Sequence, residues 1–359
     1  MIDELMKLEP YSLDKRDKER MLTDILTELT LLHCNNCVEY RRMLGALGFD
    51  SQRDINSYYD LPPLPVRLFK ELTLKSIGDD DVYKVMTSSG TTGQEVSKIY
   101  LDRETATITQ KVLVKIVSSF LGSSRLPMII IDSPAVISDR NMFSARGAGI
   151  LGFSMFGNDK AYALDEEMKL DIEALIAFFD KHEGKRILLF GFTSIIWQHF
   201  YEELKEHTDK IDISNGILIH GGGWKKLAGQ GITTKEFKSE LKSVCGISSV
   251  HDYYGMVEQT GSIYVECDHS HLHASIFSDV VVRRAVDLSV CDIGEPGIIE
   301  VVSALLKSYC GHALLTEDEG VILGEDDCPC GRKGKYFKII GRLKNAEIRG
   351  CSDTYAVTG

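Results

Sequence analysis

The stretch Thr87-Ser88-Ser89-Gly90-Thr91-Thr92-Gly93 gathers hydroxyl side chains around two glycines. Glycine lets backbone N–H groups converge on an anion, and hydroxyls add further donors, so this composition suits phosphate. It lacks the G-K-[ST] ending of a Walker loop. A polar turn joining a strand to a helix is the other reading of the same residues. Two further clusters are rich in soft ligands: Cys267-Asp268-His269-Ser270-His271-Leu272-His273 and Cys328-Pro329-Cys330. Zinc favours four Cys or His ligands in a tetrahedron, and Cys267, His273, Cys328 and Cys330 make such a set. His269 or His271 is an alternative to His273, the C-x-C spacing is tighter than the common C-x₂-C, and buried reduced thiols are the competing interpretation. A closed zinc site would pin the β-rich region and leave catalysis elsewhere. Cys34-Asn35-Asn36-Cys37, with His33, resembles half a zinc site or a redox pair, but no second pair lies nearby and an incidental role is favoured.

These residues must be carried by a scaffold. The chain has 359 residues, 43% hydrophobic and 26% charged, enough to bury a sizeable core as two or three domains or one large α/β unit. Residues 1–80 read as polar and helical, with Met21, Leu22, Ile25, Leu26, Leu29 and Leu32 at helical spacing within 15–32. The prolines of 60–65 enforce an extended segment. A short strand over 82–86 leads into the hydroxyl-rich loop. Buried strands at 128–131, 186–190, 216–220 and 248–252 alternate with helical patterns at 165–179, 194–204 and 234–244. That alternation predicts a mostly parallel, doubly wound sheet, whose ligands bind beyond the carboxyl ends of the strands. Gly191-Phe192-Thr193, Gly221-Gly222-Gly223 and Tyr254-Gly255 fall there. Strand-like runs at 262–265, 279–283, 297–302 and 336–340 predict a β-rich C-terminal region.

Four segments taken together resemble, in order, the motifs of the adenylate-forming acyl ligases. They are the loop 87–93, Tyr254-Gly255-Met256-Val257-Glu258, Leu314-Leu315-Thr316-Glu317-Asp318, and the Gly-Arg hinge beginning Gly341-Arg342 and running to Gly350. In the second, Val257 replaces the family's hydroxyl residue. The resemblance implies the fold of that family's large N-terminal domain and the activation of a carboxylic acid by ATP and Mg²⁺, with pyrophosphate released and the acyl group passed to a thiol. It implies that Ser88, Ser89, Gly90, Thr91, Thr92 and Gly93 hold phosphates and that Glu258 binds Mg²⁺. Tyr254 would stack on adenine beside Gly222, Gly223 and Gly255, Asp318 would accept from the ribose hydroxyls, and Arg342 would reach nucleotide oxygens. Thr91, Glu258 and Arg342 form the implied catalytic set. Many relatives place a Lys two residues beyond the loop's last Gly. Here Gln94-Glu95-Val96-Ser97 precede Lys98, which receives no role.

The resemblance is closer to one branch, the acyl-protein synthetases of bacterial luminescence, the LuxE type. It rests on 61–103, on His220-Gly221-Gly222-Gly223-Trp224-Lys225-Lys226 and on Ala346-Glu347-Ile348-Arg349-Gly350-Cys351. Phenylacetate–CoA ligases are next nearest, sharing Cys328-Pro329-Cys330-Gly331-Arg332 and a similar Cys and Leu-His pair, which supports the zinc set. In the acyl-protein synthetases a fatty acid is adenylated, held as a thioester on a Cys near the C-terminus, and passed to a reductase partner. Here that implies Cys351 as a further catalytic residue, with a carrier-protein thiol or coenzyme A as alternative acceptors. The organisation implied is an AMP-binding domain over 1–341, comprising a lead-in 1–80, an α/β core 81–258 and a β-rich region 259–341. A hinge and short tail over 342–359 stand where relatives carry a mobile C-terminal domain. The run 191–197 lines an apolar acyl cleft or is the core face of the next helix.

Composition sets the exclusions. Lys+Arg 41 against Asp+Glu 53 gives a net charge of -12, which opposes general nucleic-acid binding. The N-terminus has no apolar signal region and no stretch is long and apolar enough to span a membrane, so a cytoplasmic protein without membrane insertion is expected. Nine Cys in such a chain favour reduced thiols, a metal site or a reactive Cys over a disulfide framework. The alternatives to a self-acylating synthetase are an aryl- or acyl-CoA ligase and a catalytically weak nucleotide-binding subunit that scaffolds a reductase.

Overall fold

The computed structural model describes residues 2–50, 55–88, 96–138, 145–207, 211–222 and 232–343. They pack as two compact units, one from Met1–Ser119 with Gly255–Glu347, the other built on Phe120–Tyr254. The units do not follow chain order: the helical lead-in shares a unit with the β-rich region.

In the second unit the strands Ser249–Gly255, Gly216–Gly221, Ile187–Phe192, Leu126–Ile131 and Gly157–Tyr162 lie side by side in that order, all parallel. Ile187–Phe192 and Gly216–Gly221 are buried at every position. Cover on both faces of a parallel strand favours an apolar run, which is why these strands are legible in the sequence. Gly157–Tyr162 was not expected. It is polar because it closes the edge of the sheet, where polar side chains discourage further pairing.

The helices show their start and stop signals. Thr233 and Glu236 form a capping box at the start of Thr234–Cys245, and Gly246, at φ 78°, ends it. The helix expected over 165–179 begins later, as Ile172–Lys181. The Asp165 carboxylate accepts from the backbone N–H groups of Glu167 and Lys169, a local turn that competes with the helix. Asp171 then caps the true start through the N–H of Ala174. After Ile187–Phe192 the chain turns helical at Thr193–Ile195, continues through a π-helical turn at Ile196–Tyr201 and ends with Glu202–Glu206. Ile196, Trp197, Phe200 and Tyr201 join the core with Phe237 and Leu241.

The first unit is the β-rich one. Its strands Ser278–Arg283, Gly297–Ser303, Ala313–Glu325, Lys335–Arg342, Leu272–His273 and Ile263–Glu266 pair antiparallel in that order. The prolines of the lead-in end in Leu64–Pro65, which adds to Ala313–Glu325 in parallel. Helix Lys15–Asn36, capped by Asp14, buries Leu22, Ile25, Leu26 and Leu29 as the spacing predicts. This is the α/β architecture with a β-rich C-terminal part that the sequence led us to expect. No described helix is long and apolar enough to cross a membrane.

That helix also buries Lys18, against a carboxylate. Lys18 Nζ lies 3.2 Å from Asp279 Oδ1, Lys335 Nζ lies 3.2 Å from Asp279 Oδ2, and the Tyr58 hydroxyl donates to Oδ2 at 2.5 Å. Burial alone would raise the Asp279 carboxyl, but Lys18 and Lys335 outweigh it and hold it at about 2, against an ordinary 3.8. A depressed carboxyl stabilises the fold above its unfolded value and loses that contribution as pH falls through the folded one. Urea unfolding between pH 5 and pH 2 is therefore expected to lose about 2 kcal/mol through this group. Asp279→Asn should flatten that part of the slope, and an unchanged slope would mean that other carboxylates carry it.

Candidate active site

The hydroxyl-rich loop is carried by a hairpin, not by a strand-to-helix turn. Lys84–Thr87 and Lys98–Leu101 pair antiparallel, with Thr87 opposite Lys98. The mouth of the loop is closed by Ser88, whose backbone N–H donates to Ser97 O at 3.1 Å and whose hydroxyl accepts from the Ser97 N–H at 2.9 Å. The Ser88 oxygen thus helps fix the loop's base through one lone pair, and its hydroxyl hydrogen is left to donate. Lys98 is exposed on the second strand. Ser89, Gly90, Thr91, Thr92 and Gly93 lie outside the described residues, as do Gly223 and Cys351.

Asp318 and Arg342 are far apart in sequence and adjacent in space. They sit opposite each other on Ala313–Glu325 and Lys335–Arg342, with Arg342 Nε 3.4 Å from Asp318 Oδ1. Both side chains keep some exposure, 15% for Asp318 and 26% for Arg342, so the pair can meet a ligand. The Thr316 hydroxyl donates to Ile299 O and accepts from the Asp318 N–H, which sets the strand where Asp318 leaves it.

Glu258 lies in a single 3₁₀ turn, Val257–Gln259, and is only 5% exposed. Gln259 holds the turn: its side-chain amide donates to Val301 O at 3.0 Å and Gly311 O at 3.1 Å. A Cβ on Gly311 would lie 2.7 Å from Glu258 O, so that glycine is required for the close approach. Gln259 was absent from the expected site. Its one signal was a polar residue directly following the 254–258 motif.

In the second unit, Tyr253 and Tyr254 end the strand Ser249–Gly255 and project to opposite faces, as strand alternation requires. Tyr253 packs among Phe153 and Phe190, and a Cβ on Gly221 would lie 2.4 Å from its ring. Tyr254 is half-buried and Gly255 exposed. Gly222 follows with φ 97°, a conformation open to glycine. Of the run 191–197, Ile196 and Trp197 are core residues, with Trp197 stacked on Tyr201 at 4.2 Å, so the core alternative holds for these two.

The four soft ligands converge. One donor atom from each of Cys267, His273, Cys328 and Cys330 lies within 4.8 Å of the others. Cys330 Sγ is 3.4 Å from His273 Nε2, and Cys267 Sγ is 3.9 Å from Cys328 Sγ. His271 Nδ1 comes within 3.3 Å of Cys328 Sγ, while its ring stacks on Tyr336 at 4.6 Å. Pairing of Leu272–His273 with Phe337 and Tyr336 brings the two segments together. Burial pushes the Cys328 thiol up to about 12. Burial also raises Cys330, but hydrogen bonds from the Arg332 backbone and the neighbouring thiols outweigh it and bring that thiol below its ordinary value.

Comparison with known proteins decides the family. The chain matches the family of acyl-protein synthetases, LuxE, over residues 1–357. The chain belongs to that family. It is an AMP-forming acid–thiol ligase, which activates a carboxylic acid as its adenylate and transfers the acyl group to a thiol. This acyl-protein synthetase is 24% identical to a long-chain-fatty-acid–luciferin-component ligase of Vibrio harveyi, over 98% of this chain and 92% of that protein. It is 22% identical, with the same coverage, to the ligase of that name from Aliivibrio fischeri. Its fold matches 2-hydroxyisobutyryl-CoA ligase in the postadenylation state, with a TM-score of 0.70 and 14% identity over 93% of this chain and 69% of that one.

Proposed function

We propose that this acyl-protein synthetase activates a long-chain fatty acid and takes the acyl group onto its own Cys351, for delivery to a reductase partner. The observation that carries the site assignment is the Asp318–Arg342 pair, two motif residues brought to 3.4 Å by strand register. The fatty-acid reading is supported by the names of the Vibrio harveyi and Aliivibrio fischeri relatives. In the first unit, the loop closed by Ser88 and Ser97 holds phosphates, Asp318 accepts from ribose hydroxyls, and Arg342, oriented by Asp318, donates to nucleotide oxygens. In the second unit Tyr254 stacks on adenine beside Gly222. A buried carboxylate is a hard oxygen donor that suits Mg²⁺, and Glu258 is that donor. When bound, the ion offsets phosphate charge.

The acid's carboxylate oxygen attacks the α-phosphorus, and the bond to pyrophosphate breaks. The Cys351 thiolate then attacks the acyl carbonyl, AMP leaves, and the thiol proton goes to solvent. Positioning and charge stabilisation supply most of the acceleration in such a displacement. Incubation with ATP, Mg²⁺ and fatty or aromatic acids, with hydroxylamine as the trap, tests the first step. Hydroxamate and pyrophosphate are expected with long-chain acids. No hydroxamate with any acid would sink the synthetase assignment of these residues. Intact mass then reads the acceptor: an acyl adduct is expected on the wild type and not on Cys351→Ser. Acyl-CoA without an adduct would replace Cys351 by coenzyme A.

We also propose that Cys267, His273, Cys328 and Cys330 hold a structural zinc ion. Three thiols and an imidazole within 4.8 Å of one another are a donor set that zinc closes as a tetrahedron. His273 supports this: its Nε2 lies 3.4 Å from Cys330 Sγ, so a ring nitrogen points into the cluster.

A further inference from the structure

Thr193 and His220 are buried polar residues that the proposed chemistry does not use. They sit at the carboxyl ends of adjacent parallel strands, where Gly191 pairs with His220 and Phe192 with Gly221. Thr193 is 0% exposed and so is His220. Thr193 Oγ1 lies 2.9 Å from His220 Nδ1, 3.2 Å from Gly221 O and 3.5 Å from Gly222 O. Two backbone carbonyls and one ring nitrogen therefore converge on one hydroxyl, at the turn where Gly222 takes φ 97°.

The donor count assigns the protons. A carbonyl only accepts, so the single hydroxyl hydrogen of Thr193 goes to Gly221 O, with Gly222 O at the edge of reach. With that hydrogen on Gly221 O, the hydroxyl oxygen is left to accept, an arrangement that puts the His220 proton on Nδ1. Asp252 Oδ1, 3.8 Å from the same nitrogen, also favours a proton there. Burial, with smaller contributions from Lys238 and His251, lowers His220 to about 3, so the ring is neutral near pH 7 and carries one N–H. Phe237 packs on the ring at 5.0 Å and fixes its plane. The space for the turn is set from the other side: Tyr253 covers Gly221, and Phe192 lies 3.2 Å from where a Gly222 Cβ would stand.

We propose that Thr193 and His220 are positioning residues that hold the Gly221–Gly222 turn in the shape required to seat the adenine of the nucleotide. This rests on the reading of Gly222 and Tyr254 as the adenine side of the site. It predicts a specific tautomer, Nδ1–H, and a specific ligand signature. A defect in this turn weakens AMP and ATP alike, because both carry adenine. A defect in the phosphate loop weakens ATP and spares AMP.

The test combines titration and NMR on the full chain. Mg·ATP and AMP are titrated calorimetrically against the wild type, Thr193→Val and Thr193→Ser. Valine keeps the shape and removes the hydroxyl, whereas serine keeps the hydroxyl. Thr193→Val is expected to weaken both nucleotides about tenfold, one hydrogen bond's worth of positioning, with Thr193→Ser within about threefold of wild type. Long-range ¹H–¹⁵N spectra of the wild type should show His220 as the neutral Nδ1–H tautomer. Equal binding by wild type and Thr193→Val overturns the proposal, as does the Nε2–H tautomer. The NMR readout needs no variant, so it decides the question even where Thr193→Val fails to fold. A wild type that binds neither nucleotide overturns instead the reading of the site on which the proposal rests.

Discussion

Glu258→Gln is expected to lower the rate of pyrophosphate release about 10³-fold, ~4 kcal/mol of transition-state stabilisation, with little change in thermal stability. The two halves of that result have separate causes in the structure. The turn Val257–Gln259 is held by the Gln259 amide on Val301 O and Gly311 O, and by the close approach of Gly311 to the Glu258 backbone. None of these contacts uses the Glu258 carboxylate. Glutamine fills the same volume, so the turn should survive. What is lost is one negative oxygen at a buried position, where charge is worth more than in water. The variant should therefore need far more Mg²⁺ to reach half its maximal rate. Stopped assays of pyrophosphate release across a Mg²⁺ series, beside thermal unfolding, check both. A variant with wild-type Mg²⁺ dependence would remove Glu258 from metal binding, and one with a collapsed unfolding temperature would make it a structural residue.

What the sequence made legible follows from where the side chains are. The parallel strands were readable because Ile187–Phe192 and Gly216–Gly221 are buried along their whole length, and burial on both faces favours an apolar run, interrupted in the second strand by the hydrogen-bonded His220. Gly157–Tyr162 was hidden because an edge strand is free to be polar. Ala313–Glu325 was hidden for a related reason. Its segment Thr316-Glu317-Asp318-Glu319 has poor strand propensity, and pairing on both sides, with Gly297–Ser303 and Lys335–Arg342, overrides it. Arg103–Leu121 was also unforeseen; it is rich in Thr, Ile and Val, which favour strands, yet Asp102 starts it as a helix by accepting from the Thr105 N–H.

The site divides the same way. Motif order identifies Asp318 and Arg342 as chemistry-bearing, but only antiparallel register shows that they face each other. Ser88 reads in sequence as one more phosphate donor; the structure adds a second task, since its hydroxyl oxygen accepts from the Ser97 N–H and closes the hairpin while its hydrogen stays available to donate. Thr193 and His220 stand in motifs that the sequence flagged at strand ends. Their partnership depends on which strands are neighbours, and no local pattern encodes that.

Cys328→Ser is expected to release one zinc per chain and to lower the unfolding temperature by roughly 10 °C. The size of the effect comes from what the cluster fastens. Leu272–His273 is a strand of two residues, too short to hold its place by backbone pairing alone, yet it joins Ile263–Glu266 to Lys335–Arg342. His273 and the segment 328–330 reach the same point from the two sides of that junction. The junction is also tied to the buried ion cluster. Ala274 N–H donates to Lys335 O, Lys18 Nζ donates to Ala274 O, and both lysines hold Asp279. Displacing Leu272–His273 would take from Lys18 its Ala274 O acceptor and from Lys335 its backbone partner, and so loosen the two lysines that hold a buried carboxylate. Serine removes the thiolate and leaves a hydroxyl, a poor zinc ligand. Chelation of the wild type should reproduce the shift, and added zinc should restore the wild type but not the variant. Elemental analysis and thermal unfolding read the two effects independently. A wild type purified without zinc, and unmoved by added zinc, would leave the cluster as buried reduced thiols. In that case Cys328→Ser should cost only what one buried thiol contributes, about 1–2 kcal/mol.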